Sequence, residues 1–207
     1  AHRDALPGRV RLLFQPAEES PASGAPEIIS AGGLKDVAAA FGLHCAPHLP
    51  VGVAGVRPGQ AAAAADRVEV TLTGPGGHTA RPHLSVDLVH ALGRVIVNVP
   101  SLLYRRTDPR AGISLVWGTA RAGDAYNAIP VEGDLSGNVH ILDREAWQEA
   151  PKLITSLIQE VASATGARAE VRYLRGVPPV VNDLAAAQAI AAARRPGCHS
   201  WISDRQF

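Results

Sequence analysis

The chain has 207 residues, 46% of them hydrophobic and 19% charged, enough to bury a core in one large or two small domains and too apolar for a disordered chain. Twenty basic against nineteen acidic side chains leave a formal net charge of +1, and aromatics are 4%. That balance gives no electrostatic reason for nucleic acid or an anionic membrane as partner, and no base-stacking platform. No run of about 18 apolar residues suggests a membrane span and no N-terminal stretch reads as a signal peptide, so a cytoplasmic location is expected. The two cysteines, Cys45 and Cys198, make no disulfide framework, and Cys45 reads as a small buried strand residue. Met is absent, so residue 1 is not an initiator and the chain is expected to be processed or a fragment.

Residues 9 to 16 carry the apolar run Val10-Arg11-Leu12-Leu13-Phe14 and read as a buried strand ending at Pro16. Glu18 and Glu19 close it. Neighbouring side chains of an extended segment point to opposite sides. One carboxylate can thus hold a metal while the other faces a substrate, the two parts of metal-assisted hydrolysis; an exposed pair at a loop is the commoner reading of a bare Glu-Glu. Ser20 to Gly33 is a loop enclosing a short helix around Pro26 to Ala31. Ala38 to Leu43 predicts a second strand closed by His44, and Val53 to Val56 a further short one. The alanine run 61–65 suggests a linker or a crowded strand, with a domain boundary near Ala65.

From Asp66 the rhythm changes. Val68, Val70 and Leu72 alternate with polar residues, the pattern of a half-exposed strand. Gly74-Pro75-Gly76-Gly77 turns the chain; no Lys-Ser or Lys-Thr follows, so it is not a phosphate loop. Ser85 to Leu103 has helical spacing, with Ser85 or Asp87 as cap and Pro100 expected to stop or kink it. Strands are predicted over Ile113–Thr119 and Gly133–Leu142. A helix opens at Asp143 and ends before Gly166, and Arg168–Leu174 is a last strand. The order strand, helix, strand, strand, helix, strand is the split βαβ, ferredoxin-like arrangement. Asp183 to Arg194 reads as an alanine-rich helix returning to the first domain.

Phe14-Gln15-Pro16-Ala17-Glu18-Glu19, then Gly42-Leu43-His44, Gly76-Gly77-His78 and Asn127-Ala128-Ile129-Pro130, in that order, resemble the aminoacylase-type metallopeptidases, specifically the hippurate hydrolase and N-acyl-amino-acid amidohydrolase group. The resemblance runs from about Leu6 to about Asp183. It implies an α/β metallopeptidase catalytic domain, here partial and spanning 1–65. Within it is inserted a ferredoxin-like α+β lid and dimerisation domain over 66–175. A divergent or truncated return to the catalytic domain follows over 176–207. By the same resemblance Glu18 matches the general base, Glu19 and His44 match metal ligands, and His78 and Asn127 match lid residues that contact substrate or a developing oxyanion, His78 often across a dimer interface. Two divalent metals, zinc or manganese, a small N-acyl amino acid or amide substrate and a homodimer through the lid, with residues 85–103 and an edge strand at the contact, are implied with them.

The departures are also specific. The family's Cys-Gly-His-Asp and Glu-Asp-Phe segments, which belong to its metal site, have no counterpart. Gly137-Asn138-Val139-His140 replaces the usual Gly-Thr-Val-Arg, and imidazole does not copy an Arg fork. Residues 197–207 do not resemble the family. This chain is therefore expected to hold metal weakly or not at all, and the alternative to an amidohydrolase is a catalytically inactive fragment acting only as a lid or dimerisation module. Of the other histidines, His48 and His83 read as loop and surface residues and His90 as structural within its helix.

Overall fold

The computed structural model describes residues 6–18, 24–193 and 199–202. The chain is a mixed α/β protein that divides into two compact units, residues 1–45 and 46–207.

In the first unit the sole helix among the described residues is α1 (Ala25–Ser30), with Pro26 in its first turn, where a missing N–H costs nothing. The strands expected over 9–16 and 38–43 do not form; both segments are irregular. A strand exists only when a second backbone pairs with it about 4.8 Å away, and among the described residues none pairs with either. The apolar run is correspondingly open: Val10, Leu12 and Phe14 are 69%, 73% and 85% exposed. What holds residues 9–15 is a side chain, Arg11, whose guanidinium donates to the carbonyls of Gly33 and Lys35 at 2.7 and 3.0 Å. Cys45, expected to be buried, is exposed for the same reason, since the strand that was to bury it is absent.

The second unit is built on a four-stranded antiparallel sheet, order β5-β7-β3-β8, from β3 (Ala64–Thr73), β5 (Ser114–Ala122), β7 (Glu132–Ile141) and β8 (Arg168–Val177). Between β3 and β5 runs α2 (Leu88–Arg106), and between β7 and β8 runs α3 (Arg144–Ser163). Each helix begins where its sequence says, because an aspartate carboxylate accepts a backbone N–H two or three residues into the helix: Asp87 from His90 and Asp143 from Ala146. The alternation of β3 places Val68, Val70 and Leu72 in the core and leaves Arg67, Glu69 and Thr71 on the other face. The stripe Leu88, Ala91, Leu92, Val95, Val99 and Leu103 of α2 packs with Ile154, Leu157 and Ile158 of α3 against that sheet face. Pro100 does not stop α2. The helix continues to Arg106 because Val99 and Leu103 are fully buried around it, and such packing outweighs the roughly 3 kcal/mol cost of an interior proline.

Smaller pairings complete the unit. A ribbon of β2 (Gly59–Ala62) against β9 (Val180–Asn182) leads into and out of the sheet. The pair β1 (Val53–Val56) and β10 (His199–Ile202) is parallel, and β4 (Gly77–His78) pairs with β6 (Ala128–Ile129). Helix α4 (Leu184–Ala192), capped by Asp183, follows the ribbon. Among the described residues no helix is long and apolar enough to cross a membrane.

Asp66 is the one buried charged residue among those described, 1% exposed. Its carboxylate accepts three hydrogen bonds of 2.8 Å, from Trp147 Nε1, the Tyr173 hydroxyl and the Gly176 N–H. They come from α3 and β8, so one side chain joins three elements. The third bond exists because β8 bulges opposite Asp66, the register slipping between Ala65 and Arg67. Only glycine fits at 176, since a Cβ there would run into the Ala65 carbonyl. Burial, then the hydrogen bond to Asp66, push the Tyr173 phenol well above its ordinary pKa, so it remains a donor. Arg175 covers the indole of Trp147, its guanidinium carbon 4.2 Å from the ring centroid. Replacing Asp66 by Ala strands three half-buried donors and should cost about 3 kcal/mol. Tyr173→Phe removes one partner and should cost about 1 kcal/mol. Urea denaturation of both variants measures this, and equal small losses would remove Asp66 from its central place.

Candidate functional site

The five residues singled out from sequence fall into two groups, one in each unit. In the first unit, Pro16, Ala17 and Glu18 form a turn closed by the Gly24 N–H donating to the Pro16 carbonyl at 2.9 Å. Ala17 sits at φ +50°, the left-handed region that costs an alanine about 1 kcal/mol. Strain of this kind persists only where surroundings impose it. The turn presents the Glu18 carboxylate 3.6 Å from His44 Nε2, although 26 positions separate them in the chain. Both side chains are well exposed, 48% and 89%. Glu19 lies outside the described residues.

A carboxylate oxygen and an imidazole nitrogen facing each other need a proton or a cation between them, because both are otherwise acceptors. The imidazole of His44 suits zinc or manganese as a ligand, and the Glu18 carboxylate stands beside it as a proton acceptor. A catalytic zinc takes three protein ligands. Among the described residues no three His, Cys, Asp or Glu side chains cluster as a metal site. The described residues thus fit one edge of a metal centre and do not by themselves complete one.

In the second unit, His78 and Asn127 are brought to the same two-stranded ribbon. His78 pairs with Ala128 across β4 and β6, and the Asn127 carbonyl accepts the Thr79 N–H at 3.2 Å. The ribbon is entered through Gly76 at φ +69°, where a Cβ would meet Val131 Cγ1 at 2.6 Å. The Ser85 hydroxyl donates to the Gly76 carbonyl at 2.7 Å and holds the turn shut. Both His78 and Asn127 are exposed. The Ala80 N–H donates to His78 Nδ1 at 3.1 Å. In the neutral ring this leaves the proton on Nε2, so the outward nitrogen is a donor. A preset N–H suits an oxygen that gains negative charge.

Beside the ribbon is an open groove of about 490 Å³, within the range of small-molecule sites. Its walls are the start of α2 and the loop leading through β6. No local pattern in the sequence marks it. Glycine and proline break both segments before any alternation is long enough to read, and their approach is set by the ribbon. His90, expected to be structural, is exposed and borders this groove. It lies in the first turn of α2, off the buried stripe that Leu88 and Ala91 begin. His140 is exposed on β7, opposite Ala65 on one side and Ser114 on the other.

Residues 1–198 match peptidase family M20/M25/M40. A Rhodococcus jostii (strain RHA1) protein that carries the provisional name glutamate–cysteine ligase 2-3 is 46% identical over 177 residues, 86% of this chain and 22% of that protein. The N-acetylcysteine deacetylase of Bacillus subtilis (strain 168) is 37% identical over 181 residues, 87% of this chain and 47% of its own length. Among solved structures, the Bacillus subtilis YXEP protein, described as a dinuclear metal binding peptidase from the M20 family, matches with a TM-score of 0.74 and 30% identity, over 93% of this chain and 48% of that one. The chain thus spans about half the length of the deacetylase and of the YXEP protein, and less of the Rhodococcus one.

The Ala80 contact fixes an observable. Nitrogen NMR of neutral His78 should show the Nε2–H tautomer as the dominant form. A dominant Nδ1–H signal would mean that the outward nitrogen is an acceptor and unsuited to an oxyanion.

Proposed function

The chain belongs to peptidase family M20/M25/M40, and from that premise we propose that its protein is a metal-dependent amidohydrolase acting on N-acyl amino acids or related small amides. The observation that carries this reading is the pairing of Glu18 with His44 across a strained turn, together with the His78 donor on a separate ribbon. The names of several relatives support it, N-acetylcysteine deacetylase and N-acyl-L-amino acid amidohydrolase among them.

In this reading the second unit contributes a ferredoxin-like lid over 66–175, and the remaining residues belong with a catalytic domain. Glu19 and His44 would hold divalent metal, which supplies Lewis-acid polarisation of the amide carbonyl and a more acidic water. Glu18 takes a proton from the attacking water and delivers it to the nitrogen of the leaving amine. His78 Nε2–H and the Asn127 amide stabilise the charge that develops on the carbonyl oxygen, or bind the substrate carboxylate. In the whole protein Glu18→Gln should lower turnover at least about 100-fold and leave metal content unchanged. Retained turnover would sink the role of Glu18.

The second reading, an inactive module, is favoured because no three His, Cys, Asp or Glu side chains cluster as a metal site among the described residues. Metal analysis of the purified chain separates them: tightly bound, near-stoichiometric zinc or manganese contradicts the inactive module.

A homodimer through the lid belongs to the same proposal. In the described sheet β5 is an edge, with one row of backbone groups unpaired, and α2 packs beside it. Val97 and Tyr104 stand 67% and 62% exposed on α2 and would be covered by the two-fold related helix. Sedimentation of the chain at micromolar concentration should give a dimer, and Val97→Glu a monomer. A monomeric parent chain would confine His78 to its own subunit's substrate.

A further inference from the structure

We propose that the groove beside the His78–Asn127 ribbon receives the apolar acyl chain of the substrate, and that Val89 and Tyr126 set how long a chain is accepted. The inference rests on the amidohydrolase reading for the identity of the acyl compound and on the structure for its place.

The groove is continuous in the chain with both candidate substrate contacts. Thr79, directly after His78, borders it, and so do Tyr126 and Ala128, which flank Asn127. An amide held by His78 and Asn127 therefore has the groove as its neighbour. Opposite walls are apolar: Pro82 and Val89 on one side, Ile129 and Pro130 on the other. The polar groups, Asp87 and His90, sit together at the helix start, where the Asp87 carboxylate already accepts the His90 N–H.

Two exposures single out the selecting residues. Val89 is 55% exposed, although it lies in the first turn of a helix whose neighbours Leu88 and Ala91 are fully buried. Tyr126 is 97% exposed at the crest of the loop that turns through Gly123 at φ +67°. An aromatic ring left almost wholly in water beside an apolar groove gains most by closing over something apolar. An acyl chain lying against Val89 and beneath Tyr126 removes both from water.

The test is binding of N-acetyl-, N-butanoyl-, N-hexanoyl- and N-octanoylglycine to the chain, followed by backbone amide NMR. Affinity should rise about fourfold per methylene until the groove is filled, the increment of burying one CH2. The shifted amides should be those of Thr79, Val89 and Ala128. Val89→Asp and Tyr126→Ala should each flatten the dependence on chain length. Both positions are exposed, so either variant should fold, and the far-shifted methyl signals of the core verify it. Affinity independent of chain length, or shifts confined to other segments, overturns the assignment. The amidohydrolase reading is judged separately, by hydrolysis of the acetyl substrate in the whole protein, where the groove stays empty.

Discussion

A single carboxylate, Asp66, organises the unit that carries most of the fold. An ion of this kind is costly to bury and is tolerated only when its lone pairs are satisfied. Here an indole, a phenol and a backbone amide satisfy them, from a helix and a strand whose sequence positions lie 81 to 110 residues away. Each partner then constrains something else. The indole fixes the first turns of α3 and is capped by Arg175. The phenol holds β8 against the sheet. The amide demands a bulge, and the bulge demands glycine at 176. It lies where β3 and β8 leave the sheet for the β2–β9 ribbon, so the same carboxylate fixes the exit direction of both connections.

The two groups of candidate residues, one in each unit, use a different device, short backbone constraints rather than burial. Glu18, His44, His78 and Asn127 are all exposed, so packing cannot fix them. Glu18 is presented by a turn with a left-handed alanine, and His78 by a glycine turn, a hydroxyl latch and an amide that takes up one ring nitrogen. Each device acts within a few residues and leaves the reactive atom facing outward. Exposed polar groups with fixed backbones suit a site that works on a small molecule, because a ligand supplies the burial that the free protein lacks. The proposed acyl groove extends that logic, because apolar walls gain by contact with an apolar ligand.

The division of labour between units also explains which apolar residues are costly. In the second unit Leu72, Leu88, Leu103 and Ile141 are wholly removed from water. In the first, Phe14, Phe41 and Leu43 are 85%, 58% and 89% exposed. Hydrophobicity is equal in the two sets, and what differs is the presence of a paired backbone and a packed helix to cover them.

The sequence by itself determined the local elements of the second unit. Asp87, Asp143 and Asp183 mark helix starts because a cap acts over three residues, and the stripes of α2 and the alternation of β3 repeat over enough residues to be read. The four motifs in order were legible too, and they point to the family that the match over residues 1–198 shows. Tertiary structure alone decided the rest. Residues 9–16 and 38–43 have strand composition yet pair with no strand among the described residues, because a strand is a relation between two backbones. Asp66 reads as a polar residue at a strand start, and its burial follows from three partners that no local pattern links to it. Glu18 meets His44, and His78 meets Asn127, only because a turn and a two-residue ribbon close distances of 26 and 49 positions along the chain.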